Sequence, residues 1–148
     1  MGIALNLYEN DFFAWTQEQA KLIKKKAFDK LDIANLLEEV VSMGKHEKRE
    51  LGSRLAVLLM HLLKWKYQPS HRVVSWELSI KEQRRQIYYH LEDNPSLKSP
   101  EHLEITFERA YETATYEAAK ETKLSYKAFP KVCEWTIAQV LDDKFLPH

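Results

Sequence analysis

Glycine is nearly missing from this chain, with three residues in 148, and proline occurs five times. So few punctuating residues cannot supply the turns of a many-stranded β fold. No run of the GxxxxGK[ST] or GxGxxG type exists to cradle a phosphate. Cysteine is rarer still. Cys133 is alone, so no internal disulfide can form and a reducing compartment is expected. Neither sign of charge is in excess: 22 Lys and Arg balance 22 Asp and Glu. That balance removes the overall electrostatic pull toward nucleic acid or an acidic membrane. The longest apolar run, LAVLLMHLL at 55–63, falls well short of the about 20 residues that cross a bilayer. The opening MGIALNLYEN has no basic segment ahead of a hydrophobic core, and Asn6 stands where a myristoylation signal needs Ser or Thr. A cytoplasmic protein with neither a membrane nor a nucleic-acid partner is expected.

What the chain does have is helical patterning, over a length that suits one domain, residues 1–148. A first helix should start near Asn10-Asp11, run to about Lys26, and bury Phe12, Trp15, Leu22 and Ile23. Asp32 is placed to cap a second, whose Ile33, Leu36, Leu37 and Val40 have the spacing of a buried stripe. Gly44 and the polar KHEKRE that follows predict a break or kink there. A third helix, about Lys45 to Tyr67, has the strongest core signal, with Leu51, Leu55, Leu58, Leu59 and Leu62 on one face. Pro69 ends it, and a fourth runs from about Ser70 to Glu92 with Val73, Trp76, Ile80, Ile87 and Leu91 inside. Ser99-Pro100 opens a fifth, ending near Lys123 with Leu103, Phe107, Ala110, Tyr111, Ala114 and Ala118 inward. Beyond it lie an irregular aromatic strap and a short last helix, which Thr136 and Gln139 suit for a capping box. The expected fold is all-α: a single-domain bundle of about five helices with a C-terminal strap and a short final helix.

Five blocks in order, LYENDFFAWTQEQA, LDIANLLEEVVSMGKHEKREL, HLLKWKYQP, SWELSIKEQRRQI and FPKVCEWTIAQVLDDKFLP, give the chain a family likeness from Leu7 to Pro147. Together they resemble the bacterial family designated domain of unknown function twenty-nine. The resemblance implies an all-helical fold and brings no catalytic residues to transfer. The chain departs from the family pattern at Val41, where an acidic residue is expected, and at Glu134, where proline is expected. The first departure bears against an acidic site built around that turn of the second helix.

The stretch HLLKWKYQPSHRVVSW at 61–76 gathers two tryptophans and two histidines around a Gln-Pro turn. Trp65, Gln68, Pro69, His71 and Trp76 suit a helix corner, with indoles stapling the helix pair and polar groups serving the exposed backbone. Other polar residues fall on or beside apolar faces: Glu39, His61, Gln83, Arg84, Glu117 and Glu121. A buried guanidinium needs acceptors, so Arg84 is expected to face Glu117 or Glu121 in a structural network. A looser set, Glu39, His61, Glu117 and Glu121, could instead converge as a metal or acid–base site. The Glu-x-x-His spacing that marks helical metal sites is absent at Glu39 and Glu117, so neither a metal nor a cofactor is expected. Cys133 between Val132 and Glu134 reads as a packed hydrophobe. Lys81, Arg84 and Arg85 with Tyr88 and Tyr89 could suggest RNA, but Glu77, Glu82 and Glu92 neutralise that helix. Tyr88, Tyr89, Tyr116 and Tyr126 fall on outer faces and mark a possible interface. The function expected is therefore a non-enzymatic adaptor or homo-oligomer, with a small metal-dependent or acid–base enzyme as the alternative.

Overall fold

The chain is all-helical, and a computed structural model describes its residues 7–148. Its helices are α1 (Leu7–Asn10), α2 (Phe12–Lys24), α3 (Ile33–Tyr67), α4 (Val74–Asp93), α5 (Pro100–Thr122) and α6 (Ile137–Leu141), with single 3₁₀ turns between several of them. No strand occurs among the described residues, and no described helix is long and apolar enough to cross a membrane. Internal packing divides the chain into two compact units, Met1–Lys45 and His46–His148, and the boundary falls inside α3.

In the first unit Asp11 caps α2 through the Ala14 N–H, as its position at the helix start predicts. Asp32 caps α3 through the Asn35 N–H. Its other oxygen accepts from the buried Trp15 indole at 3.0 Å and from the Asn35 amide at 2.8 Å. The buried Gln19 side chain accepts the Asp32 backbone N–H at 2.9 Å. Tyr8 donates to Glu39 at 2.8 Å and packs edge-on against Trp15 and Phe12. These hydrogen bonds turn the Asp32–Asn35–Glu39 side of α3 toward the preceding helices.

That choice overturns one expectation. Most of the stripe thought to be buried faces outward: Ile33, Leu37 and Val40 are each 62% exposed and Leu36 is half-buried, with the nearby Met43 67% exposed. Phe12 and Ile23 on α2 are also exposed, whereas Trp15 is buried. Periodicity identified an amphipathic helix correctly, but polar anchors rather than the apolar stripe set its orientation. The expected break at Gly44 is absent as well. Its φ is not positive, and α3 continues through it for 35 residues in all. A glycine inside a helix costs only about 1 kcal/mol, which the helix formers around it can offset.

The second unit holds the core. Leu51, Leu55, Leu58, Leu59, Leu62 and Leu63 of α3 are fully buried, with Ile80 and Ile87 of α4 and Val140 of α6. Each is worth roughly 1.5–3 kcal/mol of transfer free energy. Phe107, Ala110, Tyr111, Ala114 and Ala118 form the inner side of α5, and its small residues admit the leucine face of α3. The 3₁₀ turn Pro69–His71 and an extended pair precede α4, so Val73 lies outside the helix and is exposed rather than inward. Pro100 occupies the first turn of α5, and Thr136 and Gln139 form the expected capping box on α6.

Candidate functional site

The bend between α3 and α4 brings four side chains to positions that local sequence explains. Trp65 is covered by the Arg72 guanidinium at 4.8 Å, and Arg72 Nε donates to the Trp65 carbonyl at 2.7 Å. Gln68 donates to the Thr122 carbonyl at 3.2 Å, tying the end of α3 to the end of α5. Pro69 starts the 3₁₀ turn, and His71 is exposed with Nδ1 3.1 Å from Ser70 Oγ. Gln68 thus serves a distant carbonyl and His71 a neighbouring hydroxyl, where the exposed backbone of the corner itself was the expected partner of both.

The residue that organises this corner is Lys64. It is buried, donates to Glu121 at 2.8 Å, and holds its ammonium 4.6 Å from the Trp76 ring centre. A carboxylate and an aromatic face together replace the water that a buried ammonium loses. The hydrogen bond from Lys64 keeps the Glu121 carboxyl below the usual carboxylate range. Half-buried His61 lies within the field of this pair. Burial lowers its pKa, the Lys64 charge lowers it further, and Glu121 acts in the opposite direction. His61 Nδ1 and Gln83 Oε1 are buried without a hydrogen-bond partner among the described residues.

Arg84 does not meet Glu117 or Glu121. Its guanidinium donates to three backbone carbonyls, Val140 at 2.8 Å, Asp143 at 3.4 Å and Phe145 at 2.8 Å. These carbonyls belong to the last turn of α6 and the residues that follow it, where backbone acceptors have no helical partner, and the forked guanidinium supplies their donors. Glu117 pairs with Lys120 on its own helix at 3.4 Å. Glu39 stays in the first unit with Tyr8. Within the second unit, His61 and Glu121 of the looser set sense one another, while Glu117 is paired with Lys120.

Another polar cluster forms from residues that sequence reasoning placed at the supposed break. Glu47, Glu50 and His90 offer ligand atoms within 4.8 Å of one another, the one such group among the described residues. His90 is buried; Nε2 lies 2.9 Å from the Glu47 carbonyl and Nδ1 lies 2.8 Å from the Glu50 carboxylate. A carbonyl only accepts, so the Glu47 carbonyl takes its hydrogen bond from the ring, while Glu50 faces the other ring nitrogen. Both ring nitrogens are thus engaged in tying α4 to α3. Had α3 been read as unbroken, the i, i+3 spacing of Glu47 and Glu50 beside Leu51 would have paired the two carboxylates on one side of the helix, while no local signal pointed to His90.

Elsewhere in this unit, α5 and the strap that follows it line an open groove of about 1140 Å³. Tyr116 and Tyr126 pair in it with ring centres 5.4 Å apart, both about half exposed. Tyr111 fixes the strap by donating to the Pro130 carbonyl at 2.6 Å, and burial pushes its phenol pKa up. Cys133 lines the groove half-buried, its thiol pKa likewise raised by burial. Glu104, Glu108 and Glu112, one turn apart, line the α5 wall, and Lys127 and Lys131 line the strap wall. None of these five has an ion-pair partner among the described residues. Tyr88 and Tyr89 pair at 5.5 Å beside a smaller cleft of about 720 Å³, and Arg85 lies 5.8 Å from the Tyr89 ring.

Fold and site together define an all-helical protein whose buried charges are matched by carboxylates, carbonyls and an aromatic face. The chain belongs to the family described as domain of unknown function DUF29, whose model matches residues 7–146. Neither the curated proteins nor the solved structures contain a match to it.

Proposed function

We propose that the protein is a non-enzymatic interaction module, working in the cytoplasm as one domain, that receives a basic, apolar segment of a partner protein in the groove along α5. The observation that carries this reading is the α5 wall. Three glutamates without ion-pair partners line the groove with Tyr116 and Tyr126, and they outnumber its two unpaired lysines, Lys127 and Lys131. Aromatic side chains supply contact area with few rotors to freeze, and a row of like charges selects its complement. The polar clusters in the unit support the same reading, because Lys64, Arg84 and His90 are all engaged in holding elements together. Tyr88 and Tyr89 form a second exposed aromatic pair that a larger partner could reach.

The test is nitrogen-resolved NMR titration with a synthetic peptide alternating lysine with leucine and phenylalanine. The expected result is shifts confined to α5 and residues 126–133, weakened by salt and lost in Tyr116→Ala and Glu108→Lys. Binding that survives both substitutions, or no binding, would overturn the proposal.

The alternative, a metal-dependent or acid–base enzyme, draws on the closeness of Glu47, Glu50 and His90. Elemental analysis of untagged protein decides it. Stoichiometric metal that disappears in Glu50→Gln would reverse the order of the two readings.

A further inference from the structure

We infer that the tip of the α2–α3 hairpin docks on an anionic membrane surface, with Phe28 entering the headgroup layer and the lysines around it meeting the lipid phosphates. The end of α2 and the turn into α3 hold five lysines, Lys21, Lys24, Lys25, Lys26 and Lys30, against two aspartates, Asp29 and Asp32. All five lysines are exposed, and none forms an ion pair among the described residues. Asp32 is already committed, accepting from the Trp15 indole and from Asn35. Asp29 is therefore the one carboxylate of the turn left to offset them. The next along the chain are Glu18, one turn before Lys21, and Glu38, beyond the first turn of α3. Overall neutrality was the ground for expecting no membrane partner, and it does not extend to this segment.

The turn is closed by its own backbone. Lys26 takes a left-handed φ of 59°, and its N–H donates to the Ile23 carbonyl at 3.0 Å while the Ala27 N–H donates to the Leu22 carbonyl at 2.9 Å. The 3₁₀ turn Phe28–Lys30 follows, held by the Lys30 N–H on the Ala27 carbonyl at 3.1 Å. Lys21, Lys24 and Lys25 follow i, i+3 and i+4 and so share one side of α2, while Trp15 and Gln19 hold Asp32 at the start of α3. Phe28 is 58% exposed, and Ile23 and Ile33, on either side of it in sequence, are exposed too.

Charge selects the occupant. Each lysine near an anionic bilayer adds to the attraction, and apolar side chains among them add what they bury. Phe28 stands on a turn and lines neither of the clefts described above. A fluid layer closes around such a side chain without needing a matching cavity. Ile23 and Ile33 give nucleic-acid bases no aromatic face to stack on, which sets RNA behind lipid. The hairpin tip belongs to the first unit and the α5 groove to the second, so this inference does not rest on the reading of that groove.

Sedimentation of the full chain with vesicles tests it. The expected result is binding to an equal mixture of phosphatidylcholine and phosphatidylglycerol, and none to phosphatidylcholine alone. Binding should be lost at about 1 M salt, where the Debye length is about 3 Å. Lys26→Gly should weaken it about fivefold without harm to the fold, because glycine suits the left-handed position. Lys123→Gly makes the same change at the other left-handed lysine, at the end of α5, and should leave binding unchanged. Phe28→Ala keeps every charge and should cost about fivefold, since more than half of that side chain is left to bury. Equal binding to both kinds of vesicle, or none to either, overturns the inference. So does a Lys123→Gly loss as large as that of Lys26→Gly, or Phe28→Ala binding at wild-type strength. Capture of single-stranded RNA or polyglutamate in place of the charged vesicles overturns it as well. Tyr116→Ala should bind vesicles as the wild type does, so failure of the groove reading and failure of this one are separate results.

Discussion

Replacing Glu121 with glutamine keeps its shape and removes the charge opposite Lys64. The Lys64 side chain is 8% exposed and that of Glu121 is 47% exposed, so the pair lies between two limits. Breaking a fully buried pair costs about 3–5 kcal/mol, while an exposed pair contributes at most about 1 kcal/mol. With one partner buried and the other half in water, Glu121→Gln should cost about 1–2 kcal/mol. For a chain of this length each kcal/mol lowers the melting temperature by about 2–4 °C. Lys64→Met keeps the stem that packs in the core and discards the charge, so it should cost less than about 1 kcal/mol. Urea unfolding near neutral pH reads both. Glu121→Gln should be nearly silent in the Lys64→Met background, because no buried cation is then left unpaired. Acid gives an independent reading. The folded carboxyl titrates below its unfolded range because Lys64 donates to it. Its stabilisation is therefore complete above the ordinary carboxylate range and lost as pH falls through the lower, folded value. The cost of Glu121→Gln should shrink over that window. A Glu121→Gln cost that is the same with and without Lys64, or that does not change on acidification, would refute the reasoning.

Arg84→Leu removes three donors from carbonyls in and just after the last turn of α6 and should cost about 2–4 kcal/mol. Hydrogen exchange should rise first in residues 137–146, and Arg84→Lys should not rescue it, because a single ammonium cannot reproduce the fork; exchange rising equally along α3 would contradict this. Gly44→Ala, at an open position inside α3 with ordinary helical φ, should raise stability by about 0.5–1 kcal/mol in urea melts. A loss would mean that the helix needs to bend there.

The elements that sequence made legible are those whose local signals agree with their packing. The leucine ladder of α3 appears nearly all round the helix, so no error of phase could send it outward. Asp11, Asp32, Pro100 and the Thr136–Gln139 box act through neighbouring backbone and need no distant partner. Orientation and partnership were harder to read. The α3 stripe at 33–43 has the same period whether it faces a core or water, and the deciding contacts come from Tyr8, Trp15 and Gln19, far along the chain. Arg84 illustrates the same limit. Its need for acceptors followed from burial, but backbone carbonyls carry no mark in the sequence, so the expectation turned to the glutamates that did. Lys64 was passed over because a lysine within an aromatic stretch reads as surface until Glu121, 57 residues later, folds against it.

Cys133 gives the chain a reporter of its own. The sole thiol sits on the wall with Tyr126 and Val132, half covered, and its raised titration keeps it mostly in the slow-reacting protonated form. Anything that fills that hollow must shield it further. The rate at which a disulfide reagent modifies the native, unlabelled protein thus becomes a direct gauge of how much of that space is taken.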